Sequence, residues 1–290
     1  MKKLTSEILI SFVSLIILII FIYGLGIYKY GWSRYGVKTV VKIVPYPAAF
    51  VDSLWIPLSK FENQKSLILH FYQSTSAPLE DEAALNRQIM DSLIEQKLVE
   101  REFQKRKLLI SQKEIEERYQ KFVEENKGEE EVKKKLEDLY GISTEDFKNL
   151  IKEKLILEKF KNEVLVSVHL FHILIKDQTR ANDVLNQINA GADFGEMAKK
   201  FSEDAASKDK GGDLGWLQRG GIVQDKPMSK EFENGVFSLS VGQISPSPVL
   251  TEFGYHIFKV TEKKGEIEKS YQDWLSEIKN RTWIKKFIGK

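Results

Sequence analysis

Cysteine is absent from the 290 residues. That removes disulfides, thiolate nucleophiles and Cys-ligated zinc together. Histidine is scarce, with four in all: His70, His169, His172 and His256. Two histidines among scattered carboxylates match no metal-ligand spacing, so neither a metal nor another cofactor is expected. An excess of either charge is lacking too. Lys and Arg number 44 against 42 Asp and Glu, a formal net charge of +2. Nucleic-acid binders normally carry a basic face, so nucleic acid is not an expected partner. No internal repeat and no sustained heptad is present, which argues against a solenoid or a coiled coil.

The first thirty residues differ from the rest. Ile8 to Tyr28 carries no charge and includes Leu15-Ile16-Ile17-Leu18-Ile19-Ile20-Phe21-Ile22. In hydrocarbon every backbone N–H and C=O must be paired internally, so such a run is expected to be helical; about 20 residues span a bilayer. Lys2 and Lys3 precede it, and Tyr28, Tyr30 and Trp32 follow as an interfacial belt. A cleaved signal peptide would be shorter and end at small residues, whereas this run leaves through Gly24-Leu25-Gly26-Ile27-Tyr28. The expectation is a cytoplasmic N-terminus (1–7), an uncleaved transmembrane anchor (8–28) and localisation as a single-pass membrane protein. Lys29, Arg34, Lys38 and Lys42 would by count keep the C-terminal bulk in the cytoplasm. Long domains, however, translocate largely regardless of charge.

The rest of the chain reads as an all-α region, an α+β region and a terminal helix. Val40, Val41, Ile43 and Val44 suggest a short strand turned by Pro45 and Pro47. Helices are expected over Leu58–Ser74 and Glu80–Lys107, the second with Leu85, Ile89, Leu93, Ile94 and Leu98 on one stripe. Ser111-Gln112-Lys113-Glu114 is a capping box that starts a third. A fourth ends at Gly141, and a fifth runs from Ser143 to about Val164. From Val166 to Ile175 the pattern is a strand. Helices are then expected over Gln178–Ala190 and from Asp193 to Phe201, with a long polar loop from Ser202 to Pro227. Met228–Leu239 reads as a helix, Tyr255–Glu262 as a strand and Glu266–Ile288 as a final amphipathic helix.

Three stretches carry a resemblance. The first is His172-Ile173-Leu174-Ile175. The second runs from Gly191-Ala192-Asp193-Phe194 through Ala198-Lys199-Lys200-Phe201-Ser202-Glu203-Asp204 to Gly211-Gly212-Asp213-Leu214-Gly215-Trp216. The third is Gly254-Tyr255-His256-Ile257. In this order they resemble the parvulin-type peptidyl-prolyl cis/trans isomerases. The stretch Met90-Asp91-Ser92-Leu93-Ile94-Glu95-Gln96-Lys97-Leu98-Val99, with Ile110-Ser111-Gln112-Lys113-Glu114-Ile115, is similar to the helical N-terminal domain of extracytoplasmic chaperone-isomerases of the SurA, PrsA and PpiD type.

The resemblance implies a helical chaperone-like domain (37–165), an FKBP-like parvulin domain with a small antiparallel sheet (166–264), and a C-terminal helix (265–290) packing on the helical domain. It places the bulk of the chain outside the cytoplasm. The partners it implies are unfolded or partly folded exported polypeptides that contain proline. It implies a proline-ring slot of Leu214, Met228 and Phe232, the last two one turn apart on a helix. His172 and His256 become paired imidazoles in a network with Thr251. Asp204 takes the polar position that is cysteine in some parvulins and aspartate in others. Phe253 stands where several relatives have a small polar residue, at the substrate edge. The connection Lys176-Asp177-Gln178 is too short and too little basic to select phosphate. Gly211, Gly212 and Gly215 lack the Lys-Ser/Thr of a phosphate loop. His70 and His169 belong to no motif. The competing reading is a membrane-tethered holdase with an inactive, peptide-binding parvulin domain.

Overall fold

The structure, a computed structural model, describes residues 18–29, 41, 44–79 and 81–288. Residues 18–29 are helical. Among the described residues no helix is long and apolar enough to cross a membrane; residues 1–17, with much of the expected anchor, lie outside them. The chain divides into two compact units, Met1–Leu157 with Ile278–Lys290, and Glu158–Glu277.

The first unit is not all-α. Strands β1 (Pro47–Val51) and β2 (Leu54–Pro57) form an antiparallel hairpin, and β9 (Ile284–Lys286) pairs with the free edge of β1, giving the order β2-β1-β9. Among the described residues the first strand lies after Pro45; residues 30–40, 42 and 43, with most of the short strand expected before it, lie outside them. Pro47 is tolerated because a strand's first residue can do without its N–H. The helix expected over Glu266–Ile288 is also shorter, spanning Tyr271–Arg281. There the Thr282 hydroxyl donates to the Ile278 carbonyl at 2.7 Å, and the Trp283 N–H donates to Asp52 at 2.9 Å. The chain beyond is thereby committed to the strand.

Helices α1 (Leu58–Ser74), α2 (Glu82–Lys105), α3 (Gln112–Glu125), α4 (Glu129–Lys135) and α5 (Thr144–Val164) complete this part of the sequence. Several boundaries have a local cause. Asp81 accepts from the Ala83 and Ala84 N–H groups, and Ser111 and Glu114 form both bonds of the capping box. A π-turn over Leu136–Tyr140 ends at Gly141, whose φ of 64° suits glycine. Leu85, Ile89, Leu93, Ile94 and Leu98 of α2 are all buried. Ile115, Tyr119, Val123, Val132, Leu136 and Ile151 form a second apolar cluster.

The second unit is α+β. Its antiparallel sheet has the order β4-β3-β8-β7, with β3 (Ser167–Ile175) and β8 (Gly254–Lys264) central. β3 is covered on both faces. Val168 and Leu170 pack with Val236, Phe237, Phe258 and Val260. Ile173 and Ile175 pack with Val184, Leu185, Met197 and Ile257. The second face is roofed by α6 (Gln178–Asn189) and α7 (Phe194–Phe201), capped by Asp177 and Asp193. The first face holds α8 (Lys230–Phe237), capped by Ser229.

Two expectations fail here. The segment read as a loop from Ser202 to Pro227 contains β4 (Asp213–Gln218) and a small hairpin of β5 (Ile222–Val223) and β6 (Lys226–Pro227). Met228 precedes the cap of α8, so it shares no helix face with Phe232. A further strand, β7 (Val249–Thr251), was not visible in the sequence.

Candidate active site

His172 and His256 lie on the two central strands, two residues out of register, since His172 pairs with Phe258 and His256 with Leu174. Both point to the face that carries Phe232 and Phe258. Both are buried, each 3% exposed. Their Nδ1 atoms are 3.2 Å apart and the rings stack with centroids 5.4 Å apart. The glycines of the Gly211-Gly212 pair explain how β3 is held. Gly212 has a φ of 88°, its carbonyl accepts the His172 N–H at 2.8 Å, and a Cβ there would collide with the His172 carbonyl. The motif glycine is thus a backbone seat for the histidine.

From the histidine pair a chain of hydrogen bonds runs both ways. His172 Nε2 meets the Asp204 carboxylate at 2.8 Å and the Ser207 hydroxyl at 3.0 Å. Ser207 also donates to Asp204, and the Gln224 side-chain amide lies 3.0 and 2.9 Å from its two oxygens. On the other side His256 Nε2 meets the Thr251 hydroxyl at 2.8 Å, and Thr251 accepts from the Phe253 N–H at 3.2 Å.

This geometry sets the proton positions. Asp204 is held well below the usual carboxylate range, chiefly by the His172 N–H, with Ser207 and Gln224 helping against the effect of burial. It is therefore an anion, and the nitrogen facing it carries a proton. Burial, with His172 nearby, pushes His256 down to about 3, so it is uncharged at neutral pH. One proton fits between two facing Nδ1 atoms. Placed on His256, it completes a polar chain from Thr251 to His256 to His172, ending on Asp204.

The apolar wall adjoins this chain. Phe232 is buried edge-on to His256, with centroids 5.3 Å apart, and to Phe258 at 4.8 Å. Leu214 and Met228 are partly buried against the same cluster. Phe253, 43% exposed, lies under the Lys226 ammonium at 4.6 Å. Such a site offers an apolar floor beside fixed polar groups, with no cysteine thiol. Among the described residues no group of three His, Cys, Asp or Glu side chains could hold a metal.

The structure thus brings His172, His256, Asp204 and Thr251 into one network, with Phe232 against it and Leu214 and Met228 in the adjoining cluster. His169 stands apart, bonded to Thr261 at 3.1 Å and 3.2 Å from Asp213. His70 lies in the first unit, 3.2 Å from the Asp138 carbonyl. Ser207 and Gln224 are members that the sequence reading missed. Ser207 had a usable signal, lying one turn after Asp204 with the Lys208 N–H bonded to the Asp204 carbonyl. Gln224 had none.

Comparison with known proteins gives a consistent result. Residues 153–264 match the PPIC-type PPIase domain and residues 1–161 the SurA-like N-terminal domain. Foldase protein PrsA 2 of Bacillus cereus is 42% identical over 159 residues, which are 49% of this chain and 53% of that protein. Foldase protein PrsA of Caldanaerobacter subterraneus is 36% identical over 214 residues, 69% of this chain and 66% of that protein. The chain spans between about half and two thirds of these relatives' length. A crystal structure of the peptidylprolyl isomerase PrsA from Bacillus anthracis is 30% identical, with 67% of this chain and 86% of that one covered, at a TM-score of 0.33.

Proposed function

The chain belongs to the family that joins a SurA-like N-terminal domain to a PPIC-type peptidyl-prolyl isomerase domain, and from that premise we propose that it catalyses cis/trans rotation about X–Pro bonds in exported polypeptides as they fold. The observation that carries the proposal is the buried chain Thr251–His256–His172–Asp204 lying against Phe232.

Amide resonance sets the uncatalysed barrier at ~18–20 kcal/mol and places partial charges on the oxygen and nitrogen. Rotation destroys that resonance. The nitrogen recovers its lone pair and no covalent bond is made. Removing the amide from water onto an apolar floor weakens the charge-separated form, which raises the ground state relative to the twisted one. Phe232, Met228 and Leu214 are the side chains for that floor. The Thr251–His256–His172–Asp204 chain is the preorganised polar wall that favours the twisted amide. Catalysis is non-covalent throughout. Phe253 lies at the substrate edge.

We assign residues 166–264 to the isomerase domain and 37–165 to a client-binding helical domain supported by 265–290. We also propose that residues 8–28 tether the chain to the membrane with residues 1–7 in the cytoplasm and the bulk outside. The uncharged run Ile8–Tyr28 supports that tether. The clients proposed are unfolded, proline-containing exported chains.

A protease-free peptide isomerisation assay on the fragment from residue 36 onward tests the central proposal. Catalysis above the spontaneous rate, lost when His172 and His256 are both replaced by Ala in a folded protein, is the expected result. If isomerisation is absent while suppression of aggregation persists through both substitutions, the holdase reading replaces it.

A further inference from the structure

We propose that the hairpin Ile222–Pro227 is a clamp on this active site, and that Gln224 is the residue with which it positions Asp204. The inference rests on the isomerase reading above and extends it to a segment no motif covers.

The backbone is the first observation. Gln224 has a φ of 50° and Asp225 a φ of 64°, so both central residues of a two-residue hairpin turn are left-handed. Such turns favour Asn-Gly or Gly-Gly. A side chain with a Cβ costs roughly 1–2 kcal/mol in that conformation, and glutamine, unlike Asn or Asp, has no short polar group to offset it. Glycine at 224 would serve the turn better. What glycine could not do is reach Asp204, and the Gln224 amide spans both of its carboxylate oxygens at 3.0 and 2.9 Å. Strain at the position of a specific polar contact points to function.

The second observation is where the hairpin touches the site. Gln224 holds the Asp204 end of the hydrogen-bonded chain. Two residues on, the Lys226 ammonium lies 4.6 Å above the Phe253 ring, and the Phe253 N–H donates to Thr251 at the chain's other end. The base is tied by the Gly221 N–H to the Gln218 carbonyl at 3.0 Å and by the Met228 N–H to the Gly221 carbonyl at 3.3 Å. One six-residue element thus grips both ends of the polar wall.

Four donors converge on Asp204: the side chains of His172, Ser207 and Gln224, and the Ala206 N–H at 3.3 Å. Together they fix the rotation of the carboxylate. With Gln224 gone, Asp204 Oδ1 keeps the longer Ala206 N–H contact, so the carboxylate is held less firmly and the geometry of its bond to His172 loosens. The hydrogen bonds of the Gln224 amide go to Asp204 and not to the proline slot of Leu214, Met228 and Phe232. Its loss should therefore act on kcat and leave KM near its original value.

The test uses the full-length chain in detergent with Gln224→Gly and Gln224→Met. Glycine removes the contact and relieves the backbone. Methionine keeps length and bulk but donates nothing. Both variants are expected to lose about tenfold in kcat, the scale of one hydrogen bond to a charged group. KM should stay within about twofold, and Gln224→Gly should unfold at the same or a higher temperature because a left-handed turn suits glycine. A merely structural role would lower stability and activity together, and that result overturns the proposal. So does wild-type kcat in both variants, or wild-type kcat in Gln224→Met alone, which would make bulk and not hydrogen bonding the cause. A readout without turnover is the 13C shift of the Asp204 carboxyl, whose titration should move to higher pH in both variants. If the wild type isomerises nothing, the functional reading fails, and this titration decides the clamp by itself: an unmoved curve overturns it.

Discussion

At the scale of single residues, the proposed site separates two tasks. Phe232 supplies apolar surface, and burying a proline ring against it is worth ~25 cal/mol per Å². Phe232→Ala should therefore raise KM severalfold. His256 has both ring nitrogens engaged within the polar chain, so His256→Ala should lower kcat by about tenfold or more, the scale of a lost preorganised donor. Steady-state isomerisation by variants shown folded by circular dichroism separates the two effects. Wild-type kinetics in both would refute the site.

The same histidine makes stability depend on pH. Burial pushes His256 from 6.5 down to about 3. Between those values the unfolded chain takes up a proton that the folded chain refuses. Its contribution is therefore complete above pH 6.5 and shrinks as the pH falls, by ~2 kcal/mol at pH 5. Asp204, held below its ordinary 3.8, adds a further loss in more acid solution. Urea unfolding of the isomerase unit should show a lower midpoint at pH 5 than at pH 7, and His256→Gln should flatten that difference. Equal wild-type midpoints at the two pH values would show that His256 titrates normally in the fold.

At the scale of elements, what was legible is what is encoded locally. The caps at Ser111, Asp177 and Asp193 and the stop at Gly141 are read from a few neighbouring residues, because a helix end is satisfied within its own first or last turn. The stripe of α2 was equally plain. β4 was hidden because its Gly215 and polar flanks look like loop, and its strand character comes only from pairing with β3. β7 has three residues and is defined by β8 alone. β9 shows the limit most clearly. Trp283 to Lys286 fits an amphipathic helix, but its partner β1 lies more than two hundred residues earlier, and Asp52 intercepts the Trp283 N–H across 231 positions of sequence. Site residues obeyed the same rule. His172, Asp204 and His256 sit in recognisable runs, whereas Gln224 joins them through a turn whose geometry its sequence does not announce.

That distant strand makes an element-scale prediction. Deleting residues 283–290 removes the β1–β9 pairing, the Asp52–Trp283 bond and the Lys286–Asp91 ion pair. At about 1 kcal/mol for each net hydrogen bond, the loss should be roughly 2–4 kcal/mol. The expected outcome is a thermal midpoint lower by several degrees for the unit containing β1 and β2, with peptide isomerisation unchanged. An unchanged midpoint would mean that β9 contributes nothing to that unit.

For the whole molecule, the sequence order and the structural units differ in a telling way. The unit Glu158–Glu277 is continuous in the chain, whereas the other is assembled from both ends. The continuous unit holds the complete sheet β4-β3-β8-β7, both of its apolar clusters and every residue of the proposed site. It also holds its own closing contact, Phe160 against Trp274 with ring centroids 4.5 Å apart. At 120 residues it lies in the ordinary size range of an independent domain, about 50–250 residues. We therefore expect the isolated fragment 158–277 to fold cooperatively and to isomerise short proline peptides within about threefold of the longer fragment from residue 36, since a short peptide needs no more than the site itself. Refolding of a proline-limited protein client should behave differently. On the proposed client-binding role of residues 37–165, the longer fragment should accelerate refolding more strongly than 158–277 at equal concentration. Measuring both fragments on both substrates resolves the contributions. Equal acceleration of the protein client would deny the helical region a part in client binding. A fragment 158–277 that is folded but inactive on peptides would show that catalysis draws on residues outside this unit.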